Sequence, residues 1–333
     1  MASTIRDVAS LAGLSVGTVS KYINGYTVKD ATKESIESAI KQLNYHPNNI
    51  AKGLRNAKSF SIAILLPLLN SNFCTSMVSS IEAALLPEGY SVIVCECHNN
   101  AEMELKKVQF LIDRMVDGII LIPYALDGKQ IRLIQENNIP LVVLDQELKN
   151  CKTDGVVLDN LTAGYEPTKH LIELGHRKIA IITGNPEHYT TKGRLSGYKM
   201  AMSEAGIPIP DEYLPSGDYT IDGGYEAMLG LWKLEHKPTA VFISNYDMTI
   251  GAYLAINYLN LRIPNDISVI GFDNFPLANV VNPPLSFAEQ PTDTMGLAAG
   301  KLLYKRICGD YLDYPKTIVY KPTIYYKNSI CSI

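Results

Sequence analysis

The chain has 333 residues, of which 47% are hydrophobic and 19% are charged. This length exceeds what one compact core organises, and the composition excludes an intrinsically disordered chain. The formal net charge is −4, yet residues 1–60 carry eight basic and four acidic side chains. A basic N-terminal part on an acidic remainder indicates that only the N-terminal part meets a polyanion such as nucleic acid.

Export and membrane insertion find no support in the sequence. The segment from Met1 to Asp7 has no apolar signal core, so we expect no secretion. The longest apolar run, residues 62–69, contains Pro67 and is too short to cross a bilayer. The six cysteines lack paired metal-ligand spacing, which favours reduced packing residues. We therefore expect a cytoplasmic protein without a metal ion or other cofactor.

Apolar residues spaced three and four apart predict three short helices within residues 1–46. Gly13 ends the first helix, and Ser15 can cap the second by accepting a backbone N–H of its first turn. Asn24 and Gly25 end the second helix. Two short helices joined by a tight turn and followed by a third are typical of a helix-turn-helix domain.

The second predicted helix presents a DNA-reading surface. Val16, Gly17 and Lys21 face outward near its N-terminal end, which is the end that reaches base edges in the major groove. Thr18 and Ser20 carry small hydroxyls suited to phosphate oxygens. Residues 13–17 also match the G-x-S-x-G elbow of hydrolases, but that elbow follows a strand, and here a helix precedes it. This context disfavours the hydrolase interpretation.

Residues 47–59 connect this domain to an apolar, strand-rich body. Asn48 can cap a short helix whose apolar face includes Leu54, flanked by the basic Lys52 and Arg55. So short a helix is marginal in water, because nucleation is unfavourable and few hydrogen bonds follow it. We expect the helix to form when a second copy of the chain and a DNA minor groove hold it. An ordinary interdomain linker is the alternative.

From residue 60 onward, short apolar strands alternate with helices. Because the strands are apolar on both faces, we expect parallel sheets in an α/β fold with helices on both sides. The alternation runs through two halves of similar length, which predicts two lobes with a cleft between them. Pro167 lies in the helix predicted at 162–174, and we expect it to kink that helix or to mark its true start.

Polar and aromatic side chains follow most of the predicted strands, where ligands of open α/β sheets collect. Their spacing contains no nucleophile–base pair and no metal-ligand set, which favours a binding protein over an enzyme. The positions at these strand ends are 67–73, Tyr124, Asp145, Asp159, Asn160, 184–191, 217–219, 244–247, 273 and 274.

Six motifs carry a family resemblance: Thr4-Ile5-Arg6-Asp7-Val8-Ala9, Thr18-Val19-Ser20 with Asn24, Tyr45-x-Pro47-Asn48-x-x-Ala51-x-x-Leu54, Leu171-x-x-x-Gly175-His176-Arg177-x-Ile179-Ala180, Arg194-x-x-Gly197-Tyr198 and Ile263-Pro264-x-Asp266-Ile267-Ser268-Val269-Ile270-Gly271-Phe272-Asp273. In this order and spacing, the chain resembles the lactose-repressor and purine-repressor (LacI/GalR) family of bacterial transcription regulators over nearly its whole length. The resemblance implies a helix-turn-helix head, a hinge helix and a core like periplasmic sugar-binding proteins. It also implies a homodimer on a near-palindromic operator.

With this resemblance we divide the chain into a DNA-binding head, a hinge and a two-lobed effector-binding core. The head is 1–46, the hinge is 47–59 and the core is 60–333, with an N-lobe of about 60–160 and 292–321 and a C-lobe of about 161–291 and 322–333.

The resemblance also assigns DNA contacts to particular residues. Val16, Gly17 and Lys21 match base-reading positions, although Gly17 has no side chain to read with. Leu54 matches the leucine that wedges between base steps and kinks the duplex, and Lys52 stands where the family often has arginine. The predicted DNA-contacting residues are Ser15, Val16, Gly17, Thr18, Ser20, Lys21, Asn24, Lys52, Leu54 and Arg55.

In the cleft, Arg194 and Asp273 match the effector-contacting arginine and aspartate of the family, a pair suited to vicinal hydroxyls or a carboxylate. Arg194 could instead pair structurally with Glu204 or another acid. Tyr219 and Phe73 match aromatic positions that can stack on a sugar ring. The further candidates, among which His188 could also be a plain surface residue, are Asp159, His188, Thr190 and Asn245.

The sequence thus predicts a homodimeric repressor controlled by a small-molecule effector, with a sugar favoured over a nucleobase or a sugar phosphate. The alternatives are a transport-type sugar-binding protein and a sugar-metabolising α/β enzyme without a DNA role. The chain ends soon after the last predicted strand without an apolar heptad tail, so we expect no tetramer through a C-terminal coil. Both induction and corepression by the effector remain open.

Overall fold

The computed structural model describes residues 3–23, 26–45, 58–147, 151–273 and 277–333. The chain divides into two compact units that meet in sequence at Phe60 and Ser61. Each unit has a hydrophobic core of its own. Among the described helices, none combines the length and the apolar character that crossing a membrane requires.

The first unit is helical. Its described elements are α1 (Ile5–Ala12), α2 (Val16–Ile23) and α3 (Asp30–Gln42). Val8, Val19 and Ile36, one from each helix, are fully buried against one another in a small core. The predicted set of three helices is therefore confirmed, and the apolar spacing that predicts them is the spacing that builds the core.

Capping residues define where the first two helices begin and end. Thr4 and Asp7 form a reciprocal capping box at the start of α1, and Gly13 ends that helix with a left-handed φ of +65°. Ser15 Oγ accepts the backbone N–H of Thr18 at 3.2 Å, so the predicted cap of α2 is confirmed. Both helix ends thus lie within a three-residue turn, which is the geometry of a helix-turn-helix.

The second unit is an α/β structure built on two sheets. The first sheet has the order β10-β5-β4-β3-β1-β2 with parallel neighbours, and the second has the order β11-β9-β8-β7-β6. In the second sheet the pairs are parallel except β11 with β9, which is antiparallel. The strands are β1 (Ser61–Leu66), β2 (Ser91–Glu96), β3 (Gly118–Leu121), β4 (Leu141–Leu144), β5 (Asp154–Leu158), β6 (Ile179–Ile182), β7 (Ala240–Ile243), β8 (Ser268–Phe272), β9 (Ser286–Glu289), β10 (Thr317–Tyr320) and β11 (Thr323–Tyr325).

Helices connect most of these strands and pack on the sheets, as the doubly apolar strands predict. Two short 3₁₀ turns, Leu86–Glu88 and Asp211–Tyr213, accompany them. The helices are α4 (Asn72–Leu85), α5 (Ala101–Asp113), α6 (Lys129–Glu136), α7 (Asn160–Glu173), α8 (Tyr189–Glu204), α9 (Ile221–Lys233), α10 (Tyr246–Tyr258), α11 (Leu277–Val280) and α12 (Thr292–Ile307).

Two features differ from the sequence-based expectations. Pro167 lies inside α7, which begins at Asn160, so the alternative that this proline marks the helix start is wrong. The cap by Asp159 fixes the earlier start. Strand β9 is absent from our predictions; two prolines, Pro283 and Pro284, stand shortly before it and favour a turn or loop there.

Two glycines bring α7 and α8 into backbone contact. A Cβ on Gly164 would lie 1.9 Å from the carbonyl oxygen of Arg194, and one on Gly197 would lie 2.0 Å from that of Leu161. Only glycine permits so close an approach. The crossing of these helices brings Arg194 close to the residues at the start of α7, which is where the cleft lies.

Candidate functional site

A cavity of about 280 Å³ lies at the carboxyl-terminal ends of strands from both sheets of the second unit. This is the place where open α/β sheets bind ligands. The wall includes positions that follow β1, β3, β4, β6, β7, β8 and β9. All but one of the predicted effector residues line it, namely Phe73, His188, Thr190, Arg194, Tyr219, Asn245 and Asp273.

Asp159 is the predicted residue that does not line this cavity. Its carboxylate accepts the backbone N–H of Thr162 at 3.0 Å and the Thr162 hydroxyl at 2.7 Å. These contacts occupy the side chain as the N-cap of α7.

Arg194 is held rigidly at the cavity wall. Its Nε donates to Asn160 Oδ1 at 2.9 Å and its Nη1 donates to the backbone carbonyl of Ser244 at 2.6 Å. The guanidinium carbon lies 3.7 Å from the centre of the Phe272 ring, a stacking that Arg tolerates well. The hydrogen-bond partners of this guanidinium are thus an amide oxygen and a backbone carbonyl, whereas the Glu204 carboxylate accepts from the Tyr165 hydroxyl. Arg194 thus enters the cavity already oriented.

Asp273 follows β8 and is also fixed by hydrogen bonds. Gln290 donates to it from its side-chain Nε2, at 3.1 and 3.2 Å, and from its backbone N–H at 3.3 Å. Burial raises the pKa of Asp273 to about 6, while Arg194 and the bonds from Gln290 oppose that rise. Keeping the Asp273 carboxylate ionised therefore costs free energy when no ligand donates a hydrogen bond to it.

A second carboxylate, Asp145, follows β4 in the other sheet and lines the same cavity. Its Oδ1 is buried and has no hydrogen-bond partner within the described part of the chain. Burial raises the pKa of Asp145 to about 7; Arg194 lowers it and the charge of Asp273 raises it further. A buried acceptor that lacks a partner is suited to a hydrogen-bond donor on a ligand.

The aromatic wall is built around Tyr219. A Cβ on Gly184 would lie 2.1 Å from Cζ of Tyr219, so the ring packs directly on that backbone. The Tyr219 hydroxyl forms hydrogen bonds with the hydroxyls of Thr190 and Thr191. Burial raises the pKa of Tyr219, which keeps the phenol neutral. The result is a flat, fixed apolar face beside polar groups.

Sequence reasoning left several cavity residues out of the predicted set. Tyr124 and Asp145 stand at predicted strand ends, so their position was a usable signal. Asp247 also lines the cavity, and burial raises its pKa. Gln146 comes directly after Asp145, whereas Gln290 follows β9, a strand that the sequence did not predict.

On the helical unit, the predicted base-reading residues of α2 are accessible. Val16 is 42% exposed, and Gly17 and Lys21 are exposed as well. Ser15 and Thr18 share a hydroxyl–hydroxyl bond of 2.9 Å at the start of α2. Ser20 is half-buried. The remaining predicted DNA contacts lie outside the described residues and stay predictions, namely Asn24, Lys52, Leu54 and Arg55.

Within the described residues, no group of three or more His, Cys, Asp or Glu side chains could hold a metal ion. A helix-turn-helix unit followed by a two-sheet α/β unit with a polar, aromatic-walled cavity defines a class of protein, the ligand-controlled transcription regulator.

Comparison with known families agrees with this class. Residues 4–48 match the family model of bacterial regulatory proteins of the lacI family. Residues 59–327 match that of periplasmic binding proteins and the sugar binding domain of the LacI family. The chain belongs to the LacI family of bacterial regulatory proteins, so the predicted family and fold class are confirmed.

Three relatives illustrate the similarity. The HTH-type transcriptional repressor PurR of Actinobacillus pleuropneumoniae serotype 3 (strain JL03) is 33% identical over 330 residues, which cover 98% of each chain. The structure of the transcriptional regulator CelR–cellobiose complex is 29% identical, covers 98% of this chain and 99% of that one, and has a TM-score of 0.76. The structure of the Lac repressor dimer bound to operator and the anti-inducer ONPF is 26% identical, covers 100% of each chain and has a TM-score of 0.88.

Proposed function

We propose that this transcription regulator acts as a homodimeric repressor and that its effector is an unphosphorylated sugar or sugar derivative bound in the cavity. The observation that carries the effector proposal is the placement of Arg194, Asp273 and Tyr219 around one cavity at the strand ends of both sheets. The structure of a transcriptional regulator of similar fold in complex with cellobiose is consistent with a sugar effector. Enzymatic turnover of a sugar has no such support.

The chemistry of the wall favours a polyol. A fixed guanidinium and two carboxylates can share the paired hydroxyls of a sugar, and the Tyr219 face can stack on the ring. Among the described residues, the wall carries the acidic side chains of Asp145, Asp218, Asp247 and Asp273 and one guanidinium, that of Arg194. Because like charges at short range repel strongly in a poorly hydrated site, a phosphate group is disfavoured there. Where these acids are ionised, the excess of negative charge favours a neutral sugar over a sugar phosphate.

DNA binding is assigned to α2 and to the segment that follows the helical unit. The exposed Val16 and Lys21 are suited to a thymine methyl group and to guanine O6/N7 in the major groove. Leu54, flanked by Lys52 and Arg55, would enter the minor groove between two half-sites. If a dimer neutralises about eight phosphates, log K falls with log[salt] at a slope of about −7.

The dimer contact is assigned to the outer face of α9 and α10. Leu254 and Tyr258, one turn apart on α10, are 50% and 70% exposed. Ile221 on α9 is 40% exposed, and the Tyr225 ring lies 6.3 Å from that of Tyr258. Exposed apolar side chains grouped in this way mark an interface. A second copy is the occupant we assign, since the operator-bound Lac repressor of similar fold is a dimer.

A thermal-shift screen of the full chain tests the effector assignment. Neutral monosaccharides and disaccharides, their phosphates, and free nucleobases are compared at equal concentration. We expect a neutral sugar to raise Tm and its phosphate to leave Tm unchanged. A response to phosphates alone, or to nucleobases alone, would contradict the sugar assignment.

Selection of DNA sequences by the purified chain tests the repressor assignment. Recovery of no near-palindromic site would contradict that assignment.

A further inference from the structure

One amide side chain beside the cavity links the segment after β4 of the first sheet to the start of α8, which follows β6 of the second sheet. Gln146 follows β4, and its Oε1 accepts the backbone N–H of Tyr189, the first residue of α8, at 3.2 Å. Its Nε2 lies 3.0 Å from Nδ1 of His188. Gln146 is itself buried, with 5% of its surface exposed. The amide therefore has fixed partners on both of its polar atoms.

These two contacts determine the protonation pattern of the imidazole. A backbone N–H can only donate, so the amide atom facing Tyr189 is the carbonyl oxygen. The atom facing His188 is then the amide nitrogen, which can only donate. Nδ1 of His188 must accept that hydrogen bond and carries no proton. A neutral ring that accepts at Nδ1 carries its proton on Nε2.

The surroundings of the ring agree with a neutral imidazole at the cavity. The His188 ring stands edge-on to the rings of Tyr124 and Tyr219, with centroids 6.4 and 5.8 Å away. Burial lowers the pKa of His188; Asp218 opposes this and Lys192 adds to it. Lys192 is itself paired with a carboxylate at 3.2 Å. Within the described residues, Nε2 has no hydrogen-bond partner, although the ring lines the cavity.

We propose that Gln146 holds His188 in its neutral Nε2–H tautomer, so that His188 donates a hydrogen bond to an oxygen atom of the effector. Gln146 is then a positioning residue, and His188 determines specificity for an acceptor at that point of the ligand. Oδ1 of Asp145, which has no partner among the described residues, would add an acceptor to this donor, beside the polar groups of Arg194 and Asp273. This inference rests on the proposed function only in taking the cavity as the effector site.

Nitrogen-15 NMR of the full chain labelled at histidine tests the tautomer without any ligand. A His188→Phe variant identifies the resonances of His188 by their loss. We expect Nδ1 to be unprotonated and Nε2 to be protonated near neutral pH. A protonated Nδ1, or rapid exchange between the two tautomers, would overturn the role of Gln146.

A Gln146→Glu variant tests the same role by reversing the direction of the hydrogen bond between residue 146 and His188. A carboxylate can accept from Tyr189 but cannot donate to His188, so we expect Nδ1 to become protonated and the pKa of His188 to rise. A change that only loosened the structure would produce neither effect. Gln109→Glu makes the same substitution on the exposed face of α5 and should leave His188 unchanged. Unfolding curves confirm that each variant is folded.

Titration with the neutral sugar that most raises Tm in the screen tests the ligand contact. We expect the Nε2 resonance to shift and His188→Phe to weaken binding about fivefold to tenfold, as for one lost hydrogen bond. An unmoved resonance with unchanged affinity would overturn the contact. If no sugar binds, the proposed effector and its contact both fail, while the ligand-free measurement still decides the role of Gln146.

Discussion

Asp145 and Asp273 follow strands of the two different sheets, β4 and β8, and both have a left-handed backbone, with φ of +58° and +66°. Aspartate tolerates this conformation better than most residues, but it still costs about 1 kcal/mol or more. Both side chains line the same cavity, and burial raises the pKa of each. Two strained, poorly solvated carboxylates in one cavity indicate a site arranged for binding at the expense of stability.

The first prediction concerns the pH dependence of stability. Burial raises the pKa of Asp145 from 3.8 to about 7, so the folded protein binds this proton more tightly than the unfolded chain does. The resulting stabilisation is complete below pH 4 and is lost as the pH rises to 7. Asp145→Asn should remove this contribution, raising the free energy of unfolding at pH 8 by about 1–3 kcal/mol relative to the wild type.

Urea unfolding at pH 5 and pH 8 measures this effect. The difference in stability between wild type and Asp145→Asn should be larger at pH 8 than at pH 5. Asp113→Asn, at an exposed carboxylate, serves as the control and should show no such difference. Equal pH dependence in the wild type and in Asp145→Asn would contradict the prediction.

The second prediction separates effector response from DNA binding. Asp273→Ala removes the acceptor that Gln290 holds in place, so the operator affinity should no longer change when the effector is added. DNA binding without effector should stay nearly intact, because the helical unit is unaltered. Fluorescence anisotropy with labelled operator, with and without the sugar identified by screening, measures both. Asp266→Ala, which removes a salt bridge and a backbone hydrogen bond with Arg262 at the surface of the core, is the matched control. An unchanged response in Asp273→Ala would remove this residue from the site.

The third prediction concerns base reading by α2. Lys21→Ala should weaken binding to the preferred operator by about 1–3 kcal/mol and relax selectivity at one base pair. Lys41→Ala removes the same charge from the last turn of a different helix, α3, and serves as the control. Binding curves on operators substituted one base pair at a time provide the measurement. Equal losses on all sequences would indicate a phosphate contact and not base reading.

The fourth prediction concerns the connecting segment. Leu54→Gly should reduce specific operator affinity by about tenfold or more, because the minor-groove wedge is lost while the cost of bending the DNA remains. Effector binding measured by thermal shift should be unchanged. Operator affinity within a factor of two of the wild type would show that Leu54 is not a wedge.

The fifth prediction concerns the dimer. Leu254→Arg places a charge in the exposed apolar group on α9 and α10, so we expect sedimentation velocity to show a monomer. Met115→Arg changes a residue that is 71% exposed elsewhere on the core and should leave the dimer intact. A Leu254→Arg variant that sediments as the wild type does would place the interface on another surface.

The local sequence pattern was sufficient to predict much of the fold of this protein. The three short helices follow from apolar spacing, and the cap by Ser15 follows from residue type, because both depend on contacts within a few residues. The parallel sheets follow from strands that are apolar on both faces. The family motifs placed Arg194, Tyr219 and Asp273 together in advance.

Only the tertiary structure decided how the cavity residues engage one another. Gln290, which follows the unpredicted strand β9, reaches Asp273, and Gln146 meets His188 across 42 residues of chain. Asp159 has the same strand-end position as Asp145 but is used as a helix cap. Position in sequence shows that a side chain stands at the end of a strand. Which partner its polar atoms find depends on sheet order and helix crossing, because those partners come from distant parts of the chain.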